Sequence, residues 1–245
     1  MQRYFVKDFD YDETNHHYTD TFTLSEDDTY HLKTVMRKTI GDLVEIICKG
    51  EAYICRIIND KQTITCIVID VLESNHNLIP SVTIAQSLVK EQKMDYILQK
   101  STELGVSNII PLKVNRSLIK IDKKDNKKIY RWNKIVKEAS EQSKRLDIPK
   151  VENIMDINDL IKLEYDYKLL CSVNETSTTI KRVLQNVNSS DTILIVIGPE
   201  GGFEKQEEEK LASNGFISVT LGSRVLRTET ASAFVLSIIN YIFEE

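Results

Sequence analysis

The spacing of apolar and polar positions changes once along the chain. Up to about residue 72 the apolar residues fall in short runs, β-branched or aromatic, divided by turn residues: 3–6, 21–24, 43–48, 53–58 and 63–71. Such runs predict strands, and Lys49-Gly50 supplies a turn between two of them. One helix interrupts. Ser25 is placed to cap it, with Asp28 three residues on, and it is expected to reach about Arg37 before Gly41-Asp42 returns the chain to strand. Several short strands at this spacing predict a small β-barrel.

Residues 73–80 are polar, end in proline and read as a linker. Beyond them strands and helices alternate. Strands are expected at 82–88, 108–114, 168–171, 192–197 and 218–221. Helices are expected at 93–104, closed by Gly105, and at 127–144, 176–187, 204–213 and 230–243. This alternation predicts a parallel sheet with helices on both faces, so the domains are expected at 1–72 and 73–245. The last helix carries a wide apolar stripe, Ala231, Phe234, Val235, Ile238, Ile239 and Ile242, expected in the core with part of it open to a subunit contact.

Composition narrows the class. The 245 residues are 41% hydrophobic and 28% charged, which excludes disorder as the main state. The apolar runs are too short to span a membrane, and the first eight residues, with a charge on each side of a three-residue apolar patch, do not read as a signal peptide. Cys48, Cys55, Cys66 and Cys171 form no C-x-x-C pair and are expected as reduced thiols in a cytoplasmic protein. His16, His17, His31 and His76 lack a cysteine cluster, so no metal is expected. The net charge of −5 conceals a basic island: 12 basic and 4 acidic residues lie between Lys113 and Arg145. That stripe suits either a polyanion or a solvated helix face.

Glycine is scarce, at 8 in the chain, yet three lie in Gly198-Pro199-Glu200-Gly201-Gly202, after the most apolar strand and before a helix. In an open α/β sheet that is where ligands bind, and glycine lets them approach the backbone closely. Glu200 in the loop and Glu204, Glu207 and Glu208 after it disfavour a polyphosphate, and the spacing is neither a dinucleotide fingerprint nor a Walker loop. A neutral or cationic ligand fits better. A second loop, Leu221-Gly222 through Arg224 and Arg227 to Thr228-Glu229-Thr230, follows the next strand, and its threonines can cap the last helix. Two such loops at adjacent strand ends point to one shared pocket. In the basic island Arg131, Glu138, Gln142 and Arg145 share a helix face, and Trp132 is expected in the core.

These residues resemble a known family. Gly198-Pro-Glu-Gly-Gly-Phe203, Leu221-Gly222 with Val225-Leu-Arg-Thr-Glu-Thr-Ala231, and Lys100-Ser-Thr-Glu-Leu-Gly-Val106 with Pro111 look like the motifs of the RsmE family, the 16S rRNA (uracil-N3)-methyltransferases of the SPOUT superfamily. So do Arg131-Trp132, Glu138-Ala139, Gln142 and Arg145. Arg3-Tyr-Phe-Val6, His31-Leu-Lys-Thr-Val-Met-Arg37 and Gly41-Asp42 extend the resemblance over nearly the whole chain. Met36 stands where the family often has leucine, and Val225 where isoleucine is common.

The resemblance implies an α/β fold: a SPOUT-type, trefoil-knotted parallel sheet with helices on both faces, preceded by a small PUA-like barrel that binds RNA. It implies S-adenosyl-L-methionine held in the knot by Cys171, Ser172, Gly198, Pro199, Glu200, Gly201, Gly202, Leu221, Gly222, Leu226 and Arg227. It implies a homodimer acting in the cytoplasm on 16S rRNA of the small ribosomal subunit. Methylating uracil N3 removes a proton and spreads negative charge over O2 and O4. Arg227 is expected to stabilise that charge, and Glu200 or Glu229 to accept the proton. Arg3, Arg37, Arg116, Arg131, Gln142 and Arg145 are the expected RNA contacts. A ribose 2′-O-methyltransferase of the same superfamily and a non-catalytic assembly factor are the alternatives.

Overall fold

The computed structural model describes residues 1–12, 17–72, 79–117, 119 and 125–243. Most of the expected linker at 73–80, with His16, His76 and Lys120, Lys123 and Lys124 of the basic stripe, lies outside the described residues. The chain divides into two compact units, Met1–His76 with Ser140–Asp147, and Asn77–Ala139 with Ile148–Glu245.

The first unit contains β1 (Arg3–Phe5), β2 (Tyr11–Asp12), β3 (His17–Tyr18), β4 (Thr21–Thr23), α1 (Glu26–Tyr30), β5 (Leu43–Cys48), β6 (Glu51–Asn59) and β7 (Thr65–Leu72). Five strands form one sheet in the order β1-β5-β6-β7-β4, antiparallel except for the β1–β5 pair; β2 and β3 pair separately. Register shifts between Ile54 and Cys55, and between Ile57 and Asn59, bend the sheet around its core. That core holds Tyr4, Phe22, Leu32, Val44, Ile46, Cys55, Ile57 and Cys66. Phe9 stacks on Phe22 with ring centroids 4.2 Å apart. Cys48, Cys55 and Cys66 are free and buried, and burial pushes the Cys55 and Cys66 thiols up to about 12.

Ser25 caps α1 as expected: its Oγ accepts the Asp28 amide at 3.2 Å and donates to Asp28 Oδ2 at 2.7 Å. The helix does not continue as one α-helix to Arg37. It widens into a π-helical turn over His31–Val35 and closes at Arg37, whose φ is +53°. The wider turn keeps Leu32 fully buried while His31 Nδ1 meets the Tyr4 hydroxyl at 3.0 Å.

The second unit contains β8 (Ser81–Ser87), α2 (Glu91–Glu103), β9 (Asn108–Lys113), α3 (Asn126–Gln142), β10 (Lys150–Val151), β11 (Met155–Asp156), α4 (Ile157–Leu160), β12 (Tyr167–Cys171), α5 (Ile180–Leu184), β13 (Thr192–Ile197), α6 (Lys205–Ala212), β14 (Ile217–Val219) and α7 (Thr228–Phe243). Its strands are all parallel, ordered β10-β9-β8-β13-β12-β14, with β11 also on β9. Alternate residues of one strand enter different cores. Ile193, Ile195 and Ile197 pack with Leu98, Trp132 and Val235 on one face. Leu194 and Val196 pack with Leu160, Phe203 and Leu211 on the other. Strands covered on both faces explain why β13 reads as an unbroken apolar run.

Arg3 is not the surface RNA contact expected of it. It is buried at 7% exposure, and its guanidinium pairs with Glu45 at 2.8 Å and donates to the carbonyls of Lys144 and Arg145. Lys144, itself in the left-handed region at φ +64°, donates to the other Glu45 oxygen at 2.7 Å. Burial works against charge on Glu45, but Lys144 and Arg3 outweigh it and hold its carboxyl below the usual range. These contacts explain why Ser140–Asp147 belongs to the first unit.

Glu45→Gln leaves Arg3 buried beside a neutral partner and is expected to lower stability by about 3 kcal/mol in urea unfolding at pH 7. A carboxyl whose folded pKa is depressed stabilises above its unfolded pKa and loses that contribution as pH falls through the folded value. The difference between variant and wild type is therefore expected to shrink below the ordinary glutamate range, which unfolding at stepped acid pH measures.

Candidate active site

Four adjacent strands, β8, β13, β12 and β14, end in line. Gln86 of β8 pairs with Ile197 of β13, Ile197 with Cys171 of β12, and Cys171 with Val219 of β14. The strands are parallel, so the loops starting at 172, 198 and 220 leave the same edge of the sheet side by side.

The glycine loop is held from beneath and from one side. Thr228 Oγ1 donates to the Gly198 carbonyl at 2.7 Å and accepts from Gln86 Nε2 at 2.9 Å. Gln86 is fully buried, and its Oε1 has no hydrogen-bond partner. The chain after β9 grips the loop's other end. Arg116 Nη1 donates to the Gly201 carbonyl at 2.9 Å, and Asn115 Nδ2 donates to Glu204 at 2.8 Å. Inside the loop the Gly202 amide donates to the Pro199 carbonyl at 2.9 Å, with Gly202 at φ +66°. A side chain on Gly198 would stand 3.0 Å from the Phe203 ring, whereas Gly202 and Gly222 face open space. Room above the backbone at two of three adjacent loops is what close approach of a ligand requires.

The acidic residues after the loop are spent on structure. Glu204 and Glu207 form a capping box at the start of α6, and Glu207 also accepts the Asn115 amide. Glu208 accepts from the Ser172 hydroxyl at 2.8 Å and from Asn174 at 3.1 Å, tying the loop after β12 to α6. That loop also exchanges backbone bonds with the next one: Thr220 donates to the Thr178 carbonyl, and Ile180 to the Thr220 carbonyl. This lacing bridges Thr179 to Thr220 and shortens the helix expected at 176–187 to the five residues of α5. The Ser177 hydroxyl and the Thr178 and Ser177 amides bring the Glu175 carboxyl down to about 2. Burial pushes the Cys171 thiol up to about 12, so it supplies no thiolate.

In the third loop Leu221 and Leu226 pack on the core, while Arg227 is exposed. The Arg227 carbonyl accepts the Thr230 and Ala231 amides and opens α7 two residues earlier than expected. The Thr228 side chain is directed to Gly198 rather than used as a cap. Among the described residues the Arg227 guanidinium has no hydrogen bond or ion pair.

Glu200 and Glu229 converge on a residue the sequence reading missed. Lys93 Nζ lies 3.0 Å from Glu200 and 3.4 Å from Glu229. Burial opposes charge on Glu200, but its own backbone amide and Lys93 prevail, and its carboxyl lies below the usual range. The bond to Glu200 raises the Lys93 ammonium in turn. The available signal was topological: Lys93 lies in the first turn after β8, the strand beside β13.

The family models described as RNA methyltransferase domain and RNA methyltransferase PUA domain match residues 76–240 and 24–69. The ribosomal RNA small subunit methyltransferase E of Bacillus subtilis is 35% identical, over 98% of this chain and 96% of its own. The chain belongs to the ribosomal RNA small subunit methyltransferase E family. The enzyme of that name from Neisseria gonorrhoeae, solved bound to S-adenosyl methionine, superposes with a TM-score of 0.85 at 28% identity, covering 99% of this chain and 98% of its own. A methyltransferase from Legionella pneumophila in complex with the same cofactor gives 0.86 at 29% identity, covering 98% and 97%.

Within this family member the other expected RNA contacts are placed unequally. Arg37 and Gln142 are exposed. Arg116 is exposed but engaged with Gly201. Arg131 forms a two-pronged pair with Asp95 and also reaches Glu91 at 3.2 Å. Arg145 does the same with Asp147, at 3.1 and 2.8 Å. Trp132 is buried in the core, as its position on the helix suggested. Among the described residues no group of three or more His, Cys, Asp or Glu is placed to hold a metal ion, and no helix is long and apolar enough to cross a membrane.

Thr228→Val keeps the shape of the side chain but strands the Gly198 carbonyl. It is expected to cost about 2 kcal/mol in urea unfolding, with Thr228→Ser close to wild type.

Proposed function

We propose that this protein transfers a methyl group from S-adenosylmethionine to N3 of a uridine in 16S rRNA of the small ribosomal subunit, as a homodimer in the cytoplasm. The observation that carries the reading is the set of three laced loops at one sheet edge, open above Gly202 and Gly222, with two carboxylates and an unpaired arginine around them. The residues present fit the cofactor: backbone approach at the glycines, apolar Leu221 and Leu226, and carboxylates for a cation. The strand order β13-β12-β14, in which the chain returns past β12, is compatible with the trefoil knot that the family resemblance implies.

The cofactor supplies a methyl group on a sulfonium cation. The chain supplies orientation. The loops starting at 172, 198 and 220 hold the donor, and their mutual hydrogen bonds remove the need to reorganise at the moment of reaction. The uridine N3 proton must leave before or during transfer. Glu200 and Glu229, both held by Lys93 at 3.0 and 3.4 Å, are the candidate acceptors, directly or through water. Arg227 faces the charge left on O2 and O4.

Arg37 and the exposed side of α3 suit phosphates, and binding is expected to weaken steeply with salt. Phe234, Tyr241 and Ile242 on α7 and Tyr96 on α2 are exposed apolar residues on two helices that pack together, which supports a dimer through this face.

The test uses methyl-labelled S-adenosylmethionine and small ribosomal subunits from cells lacking the corresponding enzyme, with the RNA then digested to nucleosides. Label is expected in N3-methyluridine and is expected to fall at least about a hundredfold with Arg227→Ala, a loss on the scale of one removed oxyanion donor. The unfolding transition should be unchanged. Label in a 2′-O-methyl nucleoside would overturn the reaction, and full turnover by the variant would remove Arg227 from it.

A further inference from the structure

Lys93 brings three elements together. It rises from the first turn of α2, Glu200 comes from the glycine loop, and Glu229 from the first turn of α7. Both carboxylates lie within 3.4 Å of one nitrogen, and the Glu229 side chain is only 17% exposed. Lys90 also acts on Glu200, while Arg116 is held on the Gly201 carbonyl and Arg227 stands at the start of α7. Glu91 of the same helix turn points instead to Lys128 and Arg131.

We propose that Lys93 sets the charge of the cofactor site: its single ammonium, shared by Glu200 and Glu229, offsets one of the two carboxylate charges and leaves this three-residue cluster one net negative charge, matched to the sulfonium cofactor rather than to its thioether product. The inference rests on the cofactor reading above. The cofactor carries one more positive charge than the product, so this arrangement favours loading of the first and release of the second. Lys93 is a positioning residue here, acting through the two carboxylates. Without it the two carboxylates repel each other, and one of them is expected to take up a proton at the lower end of the tested pH range.

The experiment measures, by calorimetry from pH 6 to 8.5, dissociation constants of S-adenosylmethionine and S-adenosylhomocysteine. It compares wild type with Lys93→Met, Lys93→Arg, the double variant Lys93→Met/Glu200→Gln, and Glu229→Gln. The ratio of variant to wild-type constants cancels the titration of the ligand itself. For Lys93→Met the S-adenosylmethionine ratio is expected to fall about threefold or more as pH rises and the second carboxylate ionises, the scale of a partly exposed charge pair. The S-adenosylhomocysteine ratio should stay flat. Lys93→Arg and the double variant should be flat for both ligands, the first because the cation remains and the second because one carboxylate is gone. Glu229→Gln, with Lys93 intact, should reduce the preference for S-adenosylmethionine over its product about threefold. Flat, equal ratios for Lys93→Met with an unchanged preference in Glu229→Gln would overturn the proposal and leave the cofactor reading standing. Failure of the wild type to bind S-adenosylmethionine would overturn both.

Discussion

The alignment of four parallel strand ends is the constraint on which the rest of the second unit depends. Gln86, Ile197, Cys171 and Val219 lie in one row. That row is fixed by packing far from any ligand. Ile193, Ile195 and Ile197 belong to one core and Leu194 and Val196 to the other, so a slip of one residue in β13 would exchange two sets of side chains fitted to different helices. Apolar packing thus decides where Gly198 stands relative to Ser172 and Thr220. The polar contacts then refine the loops: Gln86 and Thr228 from beneath, Arg116 and Asn115 from one side, Glu208 from the other.

Charge is sorted by the same geometry. The stretch from Glu200 to Glu208 looks like an acidic patch in sequence. In space Glu204 and Glu207 complete a helix start, Glu208 anchors the loop after β12, and only Glu200 remains beside the glycines. The arginines divide likewise. Arg3 is spent on Glu45, Arg131 on Asp95 and Arg145 on Asp147, while Arg37 and Arg227 are left exposed. A count of charges along the chain therefore overstates what a ligand or an RNA meets. Arg3 with Glu45 and Arg131 with Asp95 join residues far apart in sequence, and no local pattern reveals them.

Local signals carried much of the fold. Ser25 capped its helix, the five strands expected in the second unit formed within two residues of the runs that placed them although β10 and β11 had no such signal, and Trp132 went into the core. Long-range bonds account for most of the misses. The helix expected at 176–187 has acceptable local propensity, but cross-loop bonds to Thr220 outcompete its first turn. Thr228 has the composition of a cap, yet the Gly198 carbonyl takes its hydroxyl. The π-helical turn at His31–Val35 answers to Tyr4 on a distant strand. For the site, the two glycine loops were legible because so few glycines occur elsewhere. Lys93 was not, since nothing in Lys90-Glu91-Gln92-Lys93 distinguishes a site residue from a solvated helix start.

One asymmetry follows from how the loops are secured. The glycine loop and the loop after β12 are each tied by several side chains. The loop after β14 has Thr220 Oγ1 on its own backbone at Gly222 and two leucines in the core, but among the described residues no side chain ties Val225 or the Arg227 guanidinium. Val225 is 81% exposed and Arg227 is unpaired there. An apolar side chain and an arginine left open on the only weakly tied loop are poor economy for an isolated chain and good preparation for a second surface. On the proposed reading, the loops that would hold the methyl donor are secured within one chain, and the loop after β14 is the part that substrate or a second subunit would complete.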